Sequence, residues 1–128
     1  MNLIDYAKDA SKNSYSPYSN FKVGAALLTK NGKIYKGCNI ENSSYSPSCC
    51  AERTAFVKAI SEGEKDFKAI AIVGGTNSFD NFCLPCGVCR QVMSEFCDKD
   101  FKIYVTNDKE IKEYKLDELL PFSFRLEK

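Results

Sequence analysis

The sequence predicts an α/β fold, a three-layer α/β/α sandwich around a mixed sheet of about five strands. Three observations carry this prediction. An Asn-Gly pair between two β-prone runs indicates a hairpin, and a helix, strand and helix follow one another in the middle of the chain as in a crossover unit. Only the residues 107–110 separate the last two β-prone runs. A parallel pair needs a crossover of about a dozen residues, so the last two strands should be antiparallel.

The N-terminal part is expected to form one helix followed by a hairpin. Apolar residues recur at helical spacing at Leu3, Tyr6, Ala7 and Ala10. This pattern stops in the polar, proline-containing run 14–20. An apolar run at 21–28 and a β-prone run at 33–38 then flank Asn31-Gly32, which is the strongest short signal for a β-hairpin.

The middle of the chain is expected to form a helix, a buried strand and a second helix. Pro47 and Ser48 are expected to open the first helix, with Ser48 as its N-cap, and Gly63 to end it. The apolar run 67–73 is typical of a buried strand. Pro85 introduces the next helix, which is expected to continue to about residue 97.

The C-terminal part is expected to add two short strands at 101–106 and 111–115, then a helical turn at 116–120 before Pro121. The sequence shows no internal repeat and no linker. A chain of 128 residues is long enough to bury a core of its own. We therefore expect residues 1–128 to form a single domain.

Composition and charge argue against several classes of protein. The chain is 44% hydrophobic and 27% charged, as in ordinary soluble proteins. It has no apolar run of membrane-spanning length, and Asp5 interrupts the place where a signal peptide needs its apolar stretch, so we expect a cytoplasmic protein without a membrane partner. A net charge of +1 with interspersed signs offers no basic face, so nucleic acid is not an expected partner.

The 7 cysteines are better explained in the cytoplasm as metal ligands or catalytic thiols than as disulfide partners. Cys86 and Cys89 have the spacing that lets two sulfurs bind one ion, and they open a helix whose N–H groups and dipole favour thiolates. Cys50 stands at the corresponding point of the preceding helix. If the two helix starts face the same end of the sheet, Cys50, Cys86 and Cys89 can supply three ligands to one zinc ion. The cysteines interpreted as small buried apolar residues are Cys38, Cys49, Cys83 and Cys97.

Three protein ligands leave a fourth zinc position open, which is typical of catalytic zinc. Glu52 is the candidate proton carrier, because at the start of a helix its side chain can converge with that of Cys50. Three thiolates leave excess negative charge on the metal unless neighbouring donors withdraw electron density from sulfur. Arg53 is the first candidate for that role and Arg90 the second.

Together these motifs resemble the zinc deaminases, whose pattern H-x-E…P-C-x-x-C has a three-cysteine variant. The segments FKVGAALLTKNGKIYKGCNIENSSY, CAERTAFVKAISEG, PCGVCRQVMSEF and DELLPFSF resemble the small homotetrameric cytidine deaminases of pyrimidine salvage. The resemblance runs from about Asn2 to Phe124. It implies a cytidine deaminase-like fold and the hydrolytic deamination of cytidine and deoxycytidine, which gives uridine and deoxyuridine plus ammonia.

The resemblance also implies roles at the reacting base. Cys50, Cys86 and Cys89 would bind one Zn²⁺ per subunit, and Glu52 would shuttle protons and contact N3 of the pyrimidine. The backbone N–H of Ala51 would hold the carbonyl oxygen of the base.

Further substrate-binding residues follow from the same resemblance. Asn39 and Glu41 would hydrogen-bond the 3′ side of the ribose, and Phe21 would pack against the pyrimidine. Tyr45 and Phe124 would reach into neighbouring active sites, so that a homotetramer would share its sites between subunits.

Three alternatives remain open at this point. A dithiol redox protein would also place a C-x-x-C at a helix start, although it leaves Cys50 and Glu52 unexplained. A structural zinc module would take Cys49, Cys83 or Cys97 as a fourth ligand. A related deaminase could act on another cytosine nucleoside, such as an antibiotic. The near-neutral charge and the antiparallel ending favour a free nucleoside over a base in RNA or DNA.

Overall fold

The structure is a computed structural model that describes residues 2–128, which contain four helices and five strands. The helices are α1 (Leu3–Ser11), α2 (Ala51–Ser61), α3 (Gly87–Phe96) and α4 (Leu116–Leu119). The strands are β1 (Lys22–Thr29), β2 (Ile34–Cys38), β3 (Phe67–Gly75), β4 (Lys102–Thr106) and β5 (Ile111–Lys115). Every element expected from the sequence is present.

The five strands form one mixed sheet in the order β2-β1-β3-β4-β5. β3 and β4 are parallel and are joined through α3, whereas β1 pairs antiparallel with both β2 and β3. β4 and β5 are antiparallel, with Tyr104 opposite Glu113. The mixed five-stranded sheet and its antiparallel ending are thus confirmed.

The sheet is the middle of three layers, because successive side chains of a strand point to opposite faces. In β1, Ala25 and Leu27 pack with α2 and α3, whereas Ala26 packs with Ala7 of α1 on the other face. Phe56 of α2 anchors the larger of the two clusters, with its ring centroid 5.2 Å from that of Phe67. This confirms the three-layer sandwich.

The first turn of α2 lies directly against β2, and Gly37 makes this approach possible. A Cβ atom at Gly37 would lie 2.5 Å from the carbonyl oxygen of Ala51 and 2.5 Å from the amide nitrogen of Ala55. No side chain fits there without moving the helix backbone. The absence of a side chain at this one strand position therefore sets where α2 begins relative to the sheet.

The expected start of α2 was wrong by a few residues. Cys50 is its N-cap, and the Ser48 hydroxyl instead accepts a hydrogen bond from the Asn42 N–H at 3.0 Å. The cause is a long-range pairing: Ile40 and Cys49 exchange both backbone hydrogen bonds, at 2.9 and 2.8 Å, which keeps the chain extended up to Cys49. Gly63 follows the C-cap Glu62 with φ of 97°, and thus ends α2 as expected.

The expected burial of four cysteines is correct only for Cys97, which is buried. Cys38, Cys49 and Cys83 are half-buried, because Cys38 ends an edge strand and the other two border a cavity described below. Within residues 2–128, no helix has both the length and the apolar character needed to cross a bilayer.

Candidate active site

Two helix N-termini converge on a cluster of three cysteines. Cys50 is the N-cap of α2 and Cys86 is the N-cap of α3, and neither side chain makes a capping hydrogen bond to its helix. Cys89 lies one turn further into α3, where it is buried. Helix starts usually carry an oxygen-bearing side chain at this position. Sulfur there gains stabilisation as a thiolate from the unpaired N–H groups and the helix dipole.

The sulfur atoms have the spacing of a tetrahedral zinc site. The Sγ atoms of Cys50, Cys86 and Cys89 all lie within 4.8 Å of one another, and those of Cys50 and Cys86 are 3.8 Å apart. Tetrahedral ligands with Zn–S bonds of about 2.3 Å are separated by about 3.8 Å. The donor set therefore fits one zinc ion with three sulfur ligands.

The thiol groups of Cys50 and Cys89 shift each other's pKa in opposite directions. A hydrogen bond from Cys89 lowers the pKa of the Cys50 thiol to about 5, and the Arg53 guanidinium adds to this effect. The same hydrogen bond and burial raise the pKa of Cys89. A divalent cation takes the place of such a shared thiol proton, since metal ligation requires the thiolate form.

The two neighbouring arginines have different contacts. One terminal nitrogen of Arg53, Nη2, lies 3.9 Å from Cys50 Sγ and donates to the Ser48 carbonyl at 3.1 Å. Arg90 instead donates from Nε to the Pro85 carbonyl and from Nη1 to the Leu119 carbonyl, both at 2.7 Å. Arg53 thus contacts the sulfur cluster directly, whereas Arg90 ties the loop before Cys86 to α4.

Glu52 lies beside the cluster in the first turn of α2 and is only 4% exposed. Burial raises the pKa of its carboxyl group from 4.5 to about 7. A carboxyl group with a pKa near neutrality can both accept and release a proton under ordinary conditions. Strongly perturbed acids in clefts are characteristic of catalytic sites.

The cluster lies at the wall of a cavity of about 610 Å³, a volume typical of small-molecule sites. Eight of the residues predicted for the deaminase site line this cavity: Asn39, Glu41, Tyr45, Cys50, Ala51, Glu52, Arg53 and Cys86. They come from the loop after β2 and from the starts of α2 and α3. Residues distant in the chain therefore border one cavity.

Asn39 and Glu41 are held by the segment between α1 and β1 and by the start of β1. Asn39 Oδ1 accepts from the Val23 N–H at 2.9 Å, and its Nδ2 donates to the Phe21 carbonyl at 2.8 Å. Glu41 Oε1 accepts from the backbone N–H groups of Tyr18 and Ser19, at 3.0 and 3.2 Å. The hydroxyl of Ser19 lowers the pKa of Glu41, so this side chain is a carboxylate that can only accept.

Two predicted substrate-binding aromatics lie outside the lining of this cavity. Phe21 is next to it, since a Cβ atom at Gly74 would be 2.9 Å from the Phe21 ring and 2.7 Å from the sulfur of Cys83, a lining residue. Phe124 is 66% exposed, and its carbonyl accepts from Gln91 Nε2 of α3 at 3.2 Å. The structure does not bring Phe124 to the cavity of its own chain.

Several lining residues were not predicted from the sequence to belong to the deaminase site. The apolar wall includes Val23, Cys83, Leu84 and Val88. The position of Cys83 and Leu84 directly before Pro85-Cys86 was the available signal, because a chain that enters a metal-ligand loop must pass beside the metal. No neighbouring motif marked Val23, because in the sequence it is an ordinary residue of an apolar strand.

Comparison with known proteins identifies the family. The sequence profile of the cytidine and deoxycytidylate deaminase zinc-binding region matches residues 1–105. Over 126 residues the chain is 52% identical to a cytidine deaminase of Sporosarcina psychrophila, covering 98% of this chain and 90% of that protein. It is 50% identical over 126 residues to a cytidine deaminase of Halalkalibacterium halodurans, covering 98% and 93%.

A solved structure agrees with these sequence matches. The crystal structure of cytidine deaminase from Burkholderia pseudomallei superposes with a TM-score of 0.88 at 45% identity, over 97% of this chain and 100% of that one. The matched zinc-binding region and the three convergent sulfurs make zinc the cofactor of this protein. From its sequence, its fold and this metal centre, the chain belongs to the cytidine and deoxycytidylate deaminase family.

Proposed function

We propose that this protein is a cytidine deaminase that hydrolyses cytidine and deoxycytidine to uridine and deoxyuridine plus ammonia, in pyrimidine salvage. The observation that carries the proposal is a buried Glu52 next to three convergent sulfurs, at the wall of a nucleoside-sized cavity. Two cytidine deaminases share about half of their residues with this chain, and the alignments cover nearly the whole length of both relatives. This similarity supports the same activity here.

In this proposal Cys50, Cys86 and Cys89 hold the metal. When bound there, zinc supplies Lewis acidity that activates water and stabilises the negative charge developing during attack on C4. Glu52 accepts the proton of the attacking water and delivers it to N3 of the pyrimidine, which makes C4 electrophilic. Glu52 then takes the remaining proton from the hydroxyl group now bonded to C4 and passes it to the 4-amino nitrogen, so that the C4–N bond breaks, ammonia leaves and a C4 carbonyl forms.

The base is oriented by the start of α2. Ala51 is the first residue of that helix, so its N–H has no intrahelical acceptor and is available to the base carbonyl. Ala51 precedes Glu52 directly, so one helical turn both binds the carbonyl oxygen and serves the proton transfers. Phe21, beside the cavity, supplies an apolar surface for the pyrimidine ring.

The ribose is bound by Asn39 and Glu41. A hydroxyl group can accept from the Asn39 amide and donate to the Glu41 carboxylate at the same time. Both side chains line the cavity on the side of the loop after β2. This pair accounts for recognition of a nucleoside rather than of a free base.

We further infer that the chain forms one domain over residues 1–128 and assembles as a homotetramer in which Tyr45 and Phe124 complete neighbouring sites. Apolar side chains around the cavity mouth support this: Tyr45 is 78% exposed and Val88 59%. Phe124 is also largely exposed at the end of the chain. Exposed apolar clusters of this kind are typical of subunit interfaces.

The decisive experiment measures zinc content and turnover on the same purified sample. We expect deamination of cytidine and deoxycytidine, and a smaller or absent activity on a cytosine nucleoside antibiotic. The variant Glu52→Gln should retain zinc and lose at least about a hundredfold in kcat, the range for a general acid–base group.

Other outcomes would support the alternatives. Retained zinc without deamination of any cytosine nucleoside would support a structural zinc protein. Freely reactive Cys86 and Cys89 in protein purified without metal would support a dithiol redox protein.

A further inference from the structure

The hydroxyl of Ser14 lies next to the Asn39 amide, although it does not line the cavity. Ser14 Oγ is 2.5 Å from Asn39 Oδ1 and 3.1 Å from the hydroxyl oxygen of Ser16, which is only 8% exposed. Ser14 follows the end of α1, and Asn39 follows β2. The contact therefore joins two loops that are 25 positions apart in the chain.

From this contact we propose that Ser14 is a positioning residue for substrate binding, which fixes the Asn39 amide so that it presents an N–H donor to a ribose hydroxyl. The inference rests on the proposed function, because it concerns how the proposed ribose site is held. It adds a residue to the site rather than a new ligand.

The direction of the hydrogen bonds follows from what each atom can do. An amide oxygen can only accept, so the single Ser14 proton must be donated to Asn39 Oδ1. The Ser16 hydroxyl must then donate to the Ser14 oxygen. Two hydroxyl groups thus form a chain that ends on the Asn39 amide oxygen.

These contacts fix which way the Asn39 amide points. Its oxygen accepts hydrogen bonds from the Ser14 hydroxyl and from the Val23 N–H, so both of its lone pairs are engaged. Its nitrogen gives one hydrogen to the Phe21 carbonyl and has a second hydrogen for a ligand. If the amide flipped, its nitrogen would face the Val23 N–H, and an acceptor would replace the donor.

The orientation matters because Glu41 is a carboxylate that only accepts. A hydroxyl placed between Asn39 and Glu41 can satisfy both only if Asn39 donates. With a flipped amide, that hydroxyl would face two acceptors while having a single proton. Ser14 therefore keeps the Asn39 N–H as a donor beside the Glu41 carboxylate, and a sugar hydroxyl needs both groups.

The test compares variants on substrates with and without the hydroxyl. With cytidine, Ser14→Ala should raise KM about three- to tenfold, the range for one net hydrogen bond, and leave kcat within about twofold. With 3′-deoxycytidine, the same substitution should leave KM unchanged. Ser14→Thr, which keeps the hydroxyl, should restore the wild-type KM for cytidine.

Two further variants separate this role from a general loosening of the loop. Ser11→Ala also removes a hydroxyl, one that donates to the Lys8 carbonyl within α1 at 2.6 Å, and should not change KM. Ser16→Ala removes the donor to Ser14 and should raise KM for cytidine by a smaller factor than Ser14→Ala. Ser16→Ala therefore gives a second test of the role of Ser14 if the Ser14→Ala variant folds poorly.

The failures of the two proposals are distinguishable. If wild-type protein turns over cytidine and Asn39→Ala raises KM but Ser14→Ala does not, the role of Ser14 is overturned and the proposed function stands. An equal rise in KM on both substrates overturns it too, because the effect would not act through the hydroxyl. If the wild-type protein does not deaminate cytidine, both proposals fail together.

Discussion

Arg90 directly follows Cys89 and Arg53 lies three positions after Cys50, yet the two arginines contact different atoms. Arg53 approaches Cys50 Sγ at 3.9 Å, and among residues 2–128 its buried Nε has no hydrogen-bond partner. Arg90 is bound to two backbone carbonyls. Neighbours of metal-bound sulfur that withdraw electron density tune the Lewis acidity of the metal. We therefore propose this role for Arg53, whereas the contacts of Arg90 are structural.

Substituting Arg53→Gln should lower kcat about ten- to hundredfold with zinc content unchanged, because the three sulfurs remain while their charge is no longer offset. Metal analysis and steady-state kinetics on one preparation measure both quantities. The matched variant Arg90→Gln should lower the melting temperature and affect kcat less. Wild-type kcat in Arg53→Gln would contradict the assignment.

Because Glu52 is buried, we expect the stability of the zinc-free protein to fall as the pH rises and this carboxyl group ionises. Its pKa in the folded state is about 7 against 4.5 for the free group, a difference of about 3 kcal/mol. Because this pKa is raised by folding, protonated Glu52 contributes its full share of stability below pH 4.5. That contribution is lost as the pH rises through about 7.

In chelator-treated protein, Glu52→Gln should therefore raise the free energy of unfolding relative to wild type more at about pH 8 than at about pH 5. Urea unfolding at the two pH values measures the difference, and the thiols are common to both proteins. An effect that is equal at both values would show that Glu52 is not buried as a charged group at high pH.

At the scale of elements, the site depends on where two helices begin. The sequence identified the ligands because C-x-E and P-C-x-x-C are local patterns at helix starts. It misplaced the start of α2 because the pairing of Ile40 with Cys49 is a long-range contact. The same limit applies to Cys83, whose sulfur packs over Gly74 near the end of β3, a contact that is also distant in the sequence.

Gly37→Ala tests how strictly β2 places α2. The new Cβ would meet backbone atoms of Ala51 and Ala55 at 2.5 Å, so the helix start must shift and carry Cys50 and Glu52 with it. We expect a loss of about 1–3 kcal/mol in stability and weaker zinc retention. Chemical unfolding and competition with a chelator measure the two effects.

Gly87→Ala is the matched control for stability. Gly87 is the first residue of α3, and a Cβ there would meet nothing within 4 Å. Alanine also favours the helix more than glycine does. Stability should therefore stay the same or rise slightly, and equal destabilisation by both substitutions would refute the steric argument at Gly37.

For the whole molecule, the layered fold was predictable because strand periodicity, the hairpin signal and the short last connection all agree. Contact between chains was not predictable, because a single sequence does not show whether another chain packs against Phe124. Its side chain is 66% exposed and lies outside the cavity lining of its own chain. A role for Phe124 in catalysis therefore requires another subunit.

Subunit mixing tests that requirement. Glu52→Gln chains lack the proposed proton carrier and Phe124→Ala chains lack the aromatic ring, so each homogeneous preparation should deaminate cytidine poorly at low substrate concentration. If Phe124 acts across an interface, mixed assemblies contain sites that combine an intact Glu52 from one chain with an intact Phe124 from another. After subunit exchange, activity should exceed the sum of the two separate preparations. Strictly additive activity, with exchange verified by native mass spectrometry, would show that each chain uses only its own residues.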